Sequence, residues 1–345
     1  MSARIAVVGA GIYGSYTAIR LAESGHRVEL FDPLGVLRGA SDVNQFRIHA
    51  GYHYPRSPET IEETLETRAE FISAFAPAIV RGRQHYYAIP KQGSLTSPDA
   101  YERMMARHNL CLRPCKPSWM DFSFIDRCYE VDEHLYDPQL LRQLLETRIC
   151  ALRIKFHQTH YPQELRREFD FVIHATYGLG SSRGMFRCAK YQVAEKMLIE
   201  LPPPLRSVAL VIVDGPFTAF DPYGNTSSSQ FGSAKHTNHW TTTDPCLPIP
   251  EPYASLLNRP EFKPVPFSRF AAMRSDAALA VPLANDATYI GSRFTIRVVE
   301  DNPKEDRRTL YIQEPAPREI HIFSGKVVCA AKAARLICER INFDD

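Results

Sequence analysis

Apolar positions along the chain follow two periods. Residues 4–8 (RIAVV) make an unbroken, largely β-branched run, the pattern of a strand buried on both faces of a parallel sheet. The spacing then turns helical, with Ala18, Leu21 and Ala22 on one face, and closes at Gly25. Residues 26–32 (HRVELFD) return to a strand pattern, which completes a βαβ unit. Ser57 followed by Pro58 reads as an N-cap and first helical residue, opening a helix that runs to residue 75, just before Pro77. A strand is expected over 85–90. Asp137-Pro138 caps another helix (PQLLRQLLETR), and further strands are expected over 152–158 and 169–176.

From residue 183 to 314 the pattern changes. Prolines cluster at 202–204, 245–252 and 260–266 and punctuate short β-rich runs such as 208–213. The polar runs at 226–230 and 241–244 read as loops. The chain then resumes α/β patterning: a strand over 319–323, a turn at Ser324-Gly325, and a helix over 326–342 with Val327, Ala331, Ala334, Leu336 and Ile337 on its apolar side.

The first loop carries candidate chemistry. Gly9-Ala-Gly-Ile-Tyr-Gly14 lies between a strand and a helix, and Asp32 ends the second strand. Gly9 permits the tight turn, Gly11 lets backbone approach a pyrophosphate, and Gly14 lets helix and strand pack closely. The amides of Ile12 and Tyr13 sit at the positive end of the helix dipole, facing the phosphates. Asp32 would accept hydrogen bonds from ribose hydroxyls and repel a 2′-phosphate. This predicts an α/β fold. A discontinuous Rossmann-type domain (1–80, 131–182 and 315–345) carries an inserted β-rich, antiparallel-sheet substrate domain (81–130 and 183–314).

Composition narrows the function. Forty-one Lys and Arg against 39 Asp and Glu give a net charge of +2, which offers no reason to expect nucleic acid or an anionic membrane. No stretch approaches 18 consecutive apolar residues, and the run at 5–8 is too short for a signal peptide. Of eight cysteines only Cys111 and Cys115 lie close together, so no zinc-type metal site is expected and the thiols suit the reducing cytoplasm.

Three further segments carry a resemblance. Gly39-Ala40-Ser41 is followed by Asn44-Gln-Phe-Arg-Ile-His-Ala-Gly-Tyr-His-Tyr54; Asp170-Phe-Val-Ile-His-Ala-Thr-Tyr-Gly178 closes a strand; Phe323-Ser-Gly-Lys326 opens the last helix. With the motif at 9–32 these resemble the D-amino-acid-oxidase superfamily of FAD-dependent oxidoreductases, in particular L-2-hydroxyglutarate dehydrogenase and sarcosine-oxidising enzymes. The sequence departs from that pattern where Tyr177 is inserted before Gly178, and where Asp306-Arg307-Arg308 stands in place of an Arg-Pro. The resemblance implies FAD as cofactor, held by Gly9, Gly11, Ile12, Tyr13, Gly14, Asp32, Ala40, Ser41, Ala175, Thr176, Gly178, Ser324, Gly325 and Lys326. It also implies oxidation of a C–N or C–OH bond of a small molecule by hydride transfer to flavin N5. A flavin monooxygenase and a non-catalytic dinucleotide-binding protein are the alternatives.

Such chemistry asks for an aimed substrate, a managed proton and stabilised charge at the flavin N1–C2=O edge. Lys326, at a helix N-terminus, suits the last task, unless it is a solvated lysine. Arg47, His49, His53 and Tyr54 lie in the segment expected to pass the ring, with Arg47 and His49 as catalytic candidates and Tyr54 as a substrate contact. His174 reads as a core histidine. In the inserted domain, expected to supply substrate contacts, His236 is a candidate contact and sits with Lys235 and His239 around polar loops. Arg293 and Arg297 lie on a strand where a guanidinium fork could take a carboxylate, or simply alternate on a half-exposed surface.

Overall fold

In the computed structural model, residues 2–183, 185, 189–301 and 308–344 are described. Cys188 and the departure at Asp306-Arg307 fall outside them. A six-stranded sheet runs in the order Leu310–Ala316, Glu319–Ser324, Phe171–His174, Arg4–Val8, Arg27–Phe31, Lys155–His157. All neighbours are parallel except the first pair, which forms an antiparallel edge. The expected apolar run is its centre, and Ile5, Ala6 and Val7 have no exposed surface. Such residues in a strand paired on both sides leave neither face to water, which is why the run is continuous rather than alternating.

Helix Ile12–Glu23 packs on this sheet beside helices Pro138–Ala151 and Ala330–Asp344. The last helix starts later than its pattern suggests: Val327–Cys329 is a 3₁₀ turn and the α-helix begins at Ala330. Ala331, Ala334 and Ile337 are buried as expected, while Leu336 is only half-buried. Helix Pro58–Ala74 begins after Ser57 as predicted, although the Ser57 side chain makes no capping bond and instead meets the Thr60 hydroxyl.

A second, nine-stranded sheet is mostly antiparallel and takes strands from 84–131 and 189–300. Its order places Ser229–Ser233 in the interior, between Ala189–Glu200 and Thr218–Pro222, and every residue of Ser229–Ser233 is buried. The polar run at 226–230, expected as a loop, thus turns into a central strand from residue 229. Asn238–Thr242 is likewise a strand that takes in the start of the expected loop at 241–244. At 229–233 composition misled because neighbours on both sides supply the hydrogen bonds that polar residues otherwise seek in turns, whereas Asn238–Thr242 is an edge strand paired with Ala189–Glu200 alone. Helices Pro98–Arg107 and Phe270–Ala280 were not expected from periodicity. Phe270–Ala280 covers one face of this sheet through Met273 and Ala277. The opposite face packs on the segment 50–61 and helix Pro98–Arg107. A small three-stranded ladder, Arg47–Ile48, His134–Tyr136 and Ile79–Val80, lies between them.

Asp137 ties the two sheets' elements together. One oxygen caps helix Pro138–Ala151 at the Gln139 and Leu140 amides, and the other accepts from the backbone and side chain of Asn225. Asp137→Ala should therefore cost more than an ordinary cap, about 2 kcal/mol or above. Denaturant unfolding would check this, and a loss below about 0.5 kcal/mol would show that water replaces both sets of bonds.

Candidate active site

The glycine loop is built as its spacing requires. Gly9 has φ +98°, and a Cβ there would lie 2.6 Å from the Ala175 carbonyl oxygen; at Gly14 it would lie 1.8 Å from the Gly9 oxygen. Only hydrogen fits at either position. Gly11 is the N-cap of helix Ile12–Glu23, and a Cβ there would approach the Ser41 hydroxyl at 3.0 Å. That hydroxyl accepts from the Ile12 amide at 3.1 Å, so one polar oxygen from the Gly39–Asp42 turn already stands at the helix N-terminus. Asp32 accepts from the Ala10 amide at 2.8 Å with one oxygen and from the Leu34 and Gly35 amides with the other. The first oxygen keeps a lone pair for a ribose hydroxyl. Ala175 and Thr176 follow strand Phe171–His174 beside this loop. Gly178, at φ +70°, lies instead against Val298 and Phe323 after the inserted Tyr177.

Lys326 closes the other end of the groove. Its carbonyl accepts from the Tyr13 hydroxyl, and its amide donates to the Ser324 hydroxyl at 3.1 Å. Its ammonium sits 3.1 Å from the centroid of the Tyr54 ring, and the residue is 4% exposed. Among the described residues no carboxylate lies within ion-pair distance, and burial pulls its pKa well below the ordinary lysine value. A buried cation held by a ring face and no anion is the feature of this groove that most clearly asks for a bound anion. Gly11, Ser41 and Lys326 together fit a dinucleotide that carries phosphates at one end and an electron-poor ring at the other.

Arg47 is fully buried. Its Nη1 lies 2.6 Å from Glu133 and its Nη2 2.5 Å from Asp221, and the guanidinium also faces the Tyr87 ring. The turn that delivers it is set by Asn44, whose side chain accepts from the amide of Phe46 at φ +56°. Burial opposes the charge on Arg47, but Asp221, Tyr87 and Glu133 outweigh it and hold it protonated. Glu133 also accepts from the Tyr87 hydroxyl and the Ala50 amide, and its Oε1 lies 3.6 Å from His49 Nδ1. Burial pushes the Glu133 carboxyl up, yet His49 and Arg47 bring it well below the usual carboxylate range. His49 is driven down to about 4 by burial and then by Lys326, so it is a neutral imidazole near pH 7. The rings of His49, His53 and Tyr54 pack within 5.5 Å of one another.

Glu133, Asp221, Lys196 and Gln230 belong to this site and were not expected from sequence. Asp221 and Gln230 are register partners on adjacent strands. Neither polar atom of the buried Gln230 amide has a hydrogen-bond partner among the described residues. The Lys196 ammonium passes over Gly232 beside Gln45: a Cβ at Gly232 would meet them at 2.9 and 3.1 Å. Burial, then Arg297, lowers Lys196 to about 8 against the pull of Asp221. Two expected substrate contacts are placed elsewhere. The Arg293 fork is taken by the Asp42 carboxylate at 2.9 Å and the Asp42 carbonyl at 2.5 Å, and the guanidinium stacks on Phe262. It thereby fixes the turn that carries Ala40 and Ser41 and offers no fork to a ligand. His236 bonds to Asp276 of helix Phe270–Ala280, which covers the sheet's other face. His239 bonds to the buried Glu195, and Lys235 reaches the same Asp276. His174, read as core, is buried, but its imidazole contacts Glu319.

His49, His85 and His174 are lowered to about 4, about 3 and about 4, each first by burial. In the unfolded chain a histidine titrates near about 6.5, so the unfolded state binds more protons between these values. Stability from the neutral imidazoles is complete above about pH 6.5 and is lost as pH falls toward the folded values. Denaturant unfolding should show a loss of up to about 1.4 kcal/mol per pH unit per histidine below pH about 6. His85→Gln should shrink that slope; a slope unchanged by it, or none in the wild type, would contradict the burial described.

Comparison with known proteins agrees with the geometry. Residues 4–167 match the family model described as FAD dependent oxidoreductase (DAO). The chain is 26% identical over 241 residues to the FAD-dependent monooxygenase FPY4 of Fusarium mangiferae, an alignment covering 68% of this chain and 64% of that protein. The chain therefore spans a little less than two thirds of that relative. Glycine oxidase from Geobacillus kaustophilus superposes with a TM-score of 0.69 at 13% identity, over 98% of this chain and 95% of that one. L-α-glycerophosphate oxidase from Mycoplasma pneumoniae, with FAD bound, gives 0.68 at 10% identity, over 97% and 93%. The glycine-loop sheet, the antiparallel sheet and these matches agree: residues 4–167, a little under half of the chain, are similar to the family of FAD dependent oxidoreductases (DAO), and the whole chain shares the fold of these oxidases.

Proposed function

We propose that the protein oxidises a C–N or C–OH bond of a small polar molecule, with the substrate held between the groove closed by Lys326 and the inner face of the nine-stranded sheet. The observation that carries this is the buried ammonium of Lys326, which no carboxylate neutralises among the described residues, next to the neutral imidazole of His49. FAD, when bound, supplies the acceptor for two electrons. The chain's own residues do the rest. Gly11 and the amides of Ile12 and Tyr13 would hold the pyrophosphate, on the loop that Gly9 and Gly14 shape; Ser41 and Ala40 would flank it, Asp32 would take a ribose hydroxyl, and Ala175 and Thr176 would line the same side. Ser324, Gly325 and Lys326 place a donor-rich helix start and a cation where negative charge develops. His49, neutral at pH 7, can accept the proton that leaves the substrate, and Glu133 favours the imidazolium that results.

The inner face of the sheet supplies recognition. Lys196 and the unpartnered amide of Gln230 offer donors to a polar substrate, while Arg47 is a positioning residue whose charge is met by Glu133 and Asp221. In this reading residues 81–130 and 183–314 form the substrate part and the remainder the FAD part. The seven described cysteines are free thiols, in keeping with a reducing cytoplasm, and among the described residues no helix is long and apolar enough to cross a membrane. The likeness to FPY4 supports a second reading, a monooxygenase that consumes reduced pyridine nucleotide. Anaerobic mixing with panels of amines, amino acids and 2-hydroxy acids separates the two. Bleaching of the flavin bands by substrate alone supports the oxidase or dehydrogenase, whereas substrate-dependent NAD(P)H consumption with no direct bleaching supports the monooxygenase.

Lys326→Met should keep FAD bound yet weaken sulfite, a small anion that reports on positive charge at the flavin, by about tenfold, or 1–2 kcal/mol. An absorbance titration checks this. Equal sulfite affinity in wild type and variant would remove Lys326 from the flavin.

A further inference from the structure

On the face of the six-stranded sheet away from helix Ile12–Glu23, three side chains converge that the proposed reaction does not use. His174 and His321 are register partners on adjacent parallel strands, and Glu319 stands two residues before His321, so all three share one face. A single carboxylate oxygen, Glu319 Oε1, lies 3.2 Å from His174 Nε2 and 3.1 Å from His321 Nε2. The two rings are 4.5 Å apart and inclined at 47°. Both histidines are buried, and Glu319, 26% exposed, opens the group to solvent.

We propose that His174, Glu319 and His321 form a binding site for a divalent cation of the zinc class, which pins strand Glu319–Ser324 to strand Phe171–His174. Zinc bonds to imidazole nitrogen and carboxylate oxygen of about 2.0–2.2 Å set donor–donor edges of about 3.3 Å in a tetrahedron, close to the two separations observed. Two nitrogens and one oxygen are a donor set that zinc accepts, and the remaining position would go to water. The alternative, two imidazoles both donating to one carboxylate oxygen, places both Nε2 protons on the same acceptor. His321 and Glu319 are the charged or titratable groups nearest His174. Arg166 is the cation facing the group, but its hydrogen bonds go to the Phe169 and Pro317 carbonyls, which leaves the Glu319 carboxylate to the histidines. The Tyr161 ring lies 6.3 Å from that of His174, and its buried hydroxyl has no hydrogen-bond partner among the described residues. His174 directly precedes Ala175 and Thr176, so the cation would stiffen the strand end that the dinucleotide meets.

The test uses the full chain as purified, treated with chelator and dialysed, then titrated calorimetrically with zinc chloride. Wild type should bind one zinc ion more than His321→Asn, and zinc should raise its melting temperature. Glu319→Gln, a change at a partly exposed side chain that should leave the fold and FAD content intact, should weaken zinc by more than tenfold. Equal zinc stoichiometry and affinity in wild type and Glu319→Gln, or no zinc uptake by wild type, would overturn the site.

Discussion

A guanidinium with no exposed surface is tenable only where carboxylates surround it, and Arg47 sets that condition at the centre of this molecule. Its two carboxylates come from different places: Glu133 from the segment leading into the small three-stranded ladder, and Asp221 from the interior of the nine-stranded sheet. The cluster therefore joins the nine-stranded sheet to the segment that carries His49 and Tyr54. Removing one member would leave an uncompensated buried charge, a cost of several kcal/mol, so the three residues stand or fall as a unit. His49, through Glu133, takes its position from this joint.

The electrostatics divide along the same line. On one side the loop at 9–14 and the turn at 39–42 offer backbone donors and one hydroxyl, suited to phosphates, and the turn is itself locked by Arg293, Arg38 and Arg142 on Asp42. On the other side a buried ammonium and a neutral imidazole flank Tyr54. Burial is what makes the second side responsive, since the same desolvation that lowers Lys326 strengthens its attraction for an incoming anion.

The first βαβ unit was legible because every signal in it is local: a continuous apolar run, glycines at fixed offsets, an acid at the next strand's end. Asp137 could be read for the same reason, since a helix cap reports on its own neighbours. The substrate face could not. Asp221 and Gln230 sit in strands whose polar content resembles loops, and only pairing on both sides turns them inward. Arg293 shows the limit from the other direction: its residue type suggested a ligand carboxylate, but the carboxylate it meets is Asp42, distant in sequence and brought near by the fold. His174 was read correctly as buried, yet its partners lie on a strand from the far end of the chain. Local pattern revealed the glycine loop and its helix; long-range contacts built the buried polar cluster around Arg47.

The central claim is that the groove from the glycine loop to Lys326 is a flavin site. The absorption spectrum of the purified chain, with released cofactor quantified against protein, tests it most directly. The account predicts flavin bands and about one FAD per chain, since the dinucleotide motif occurs once. A colourless protein that takes up no FAD on reconstitution would contradict it.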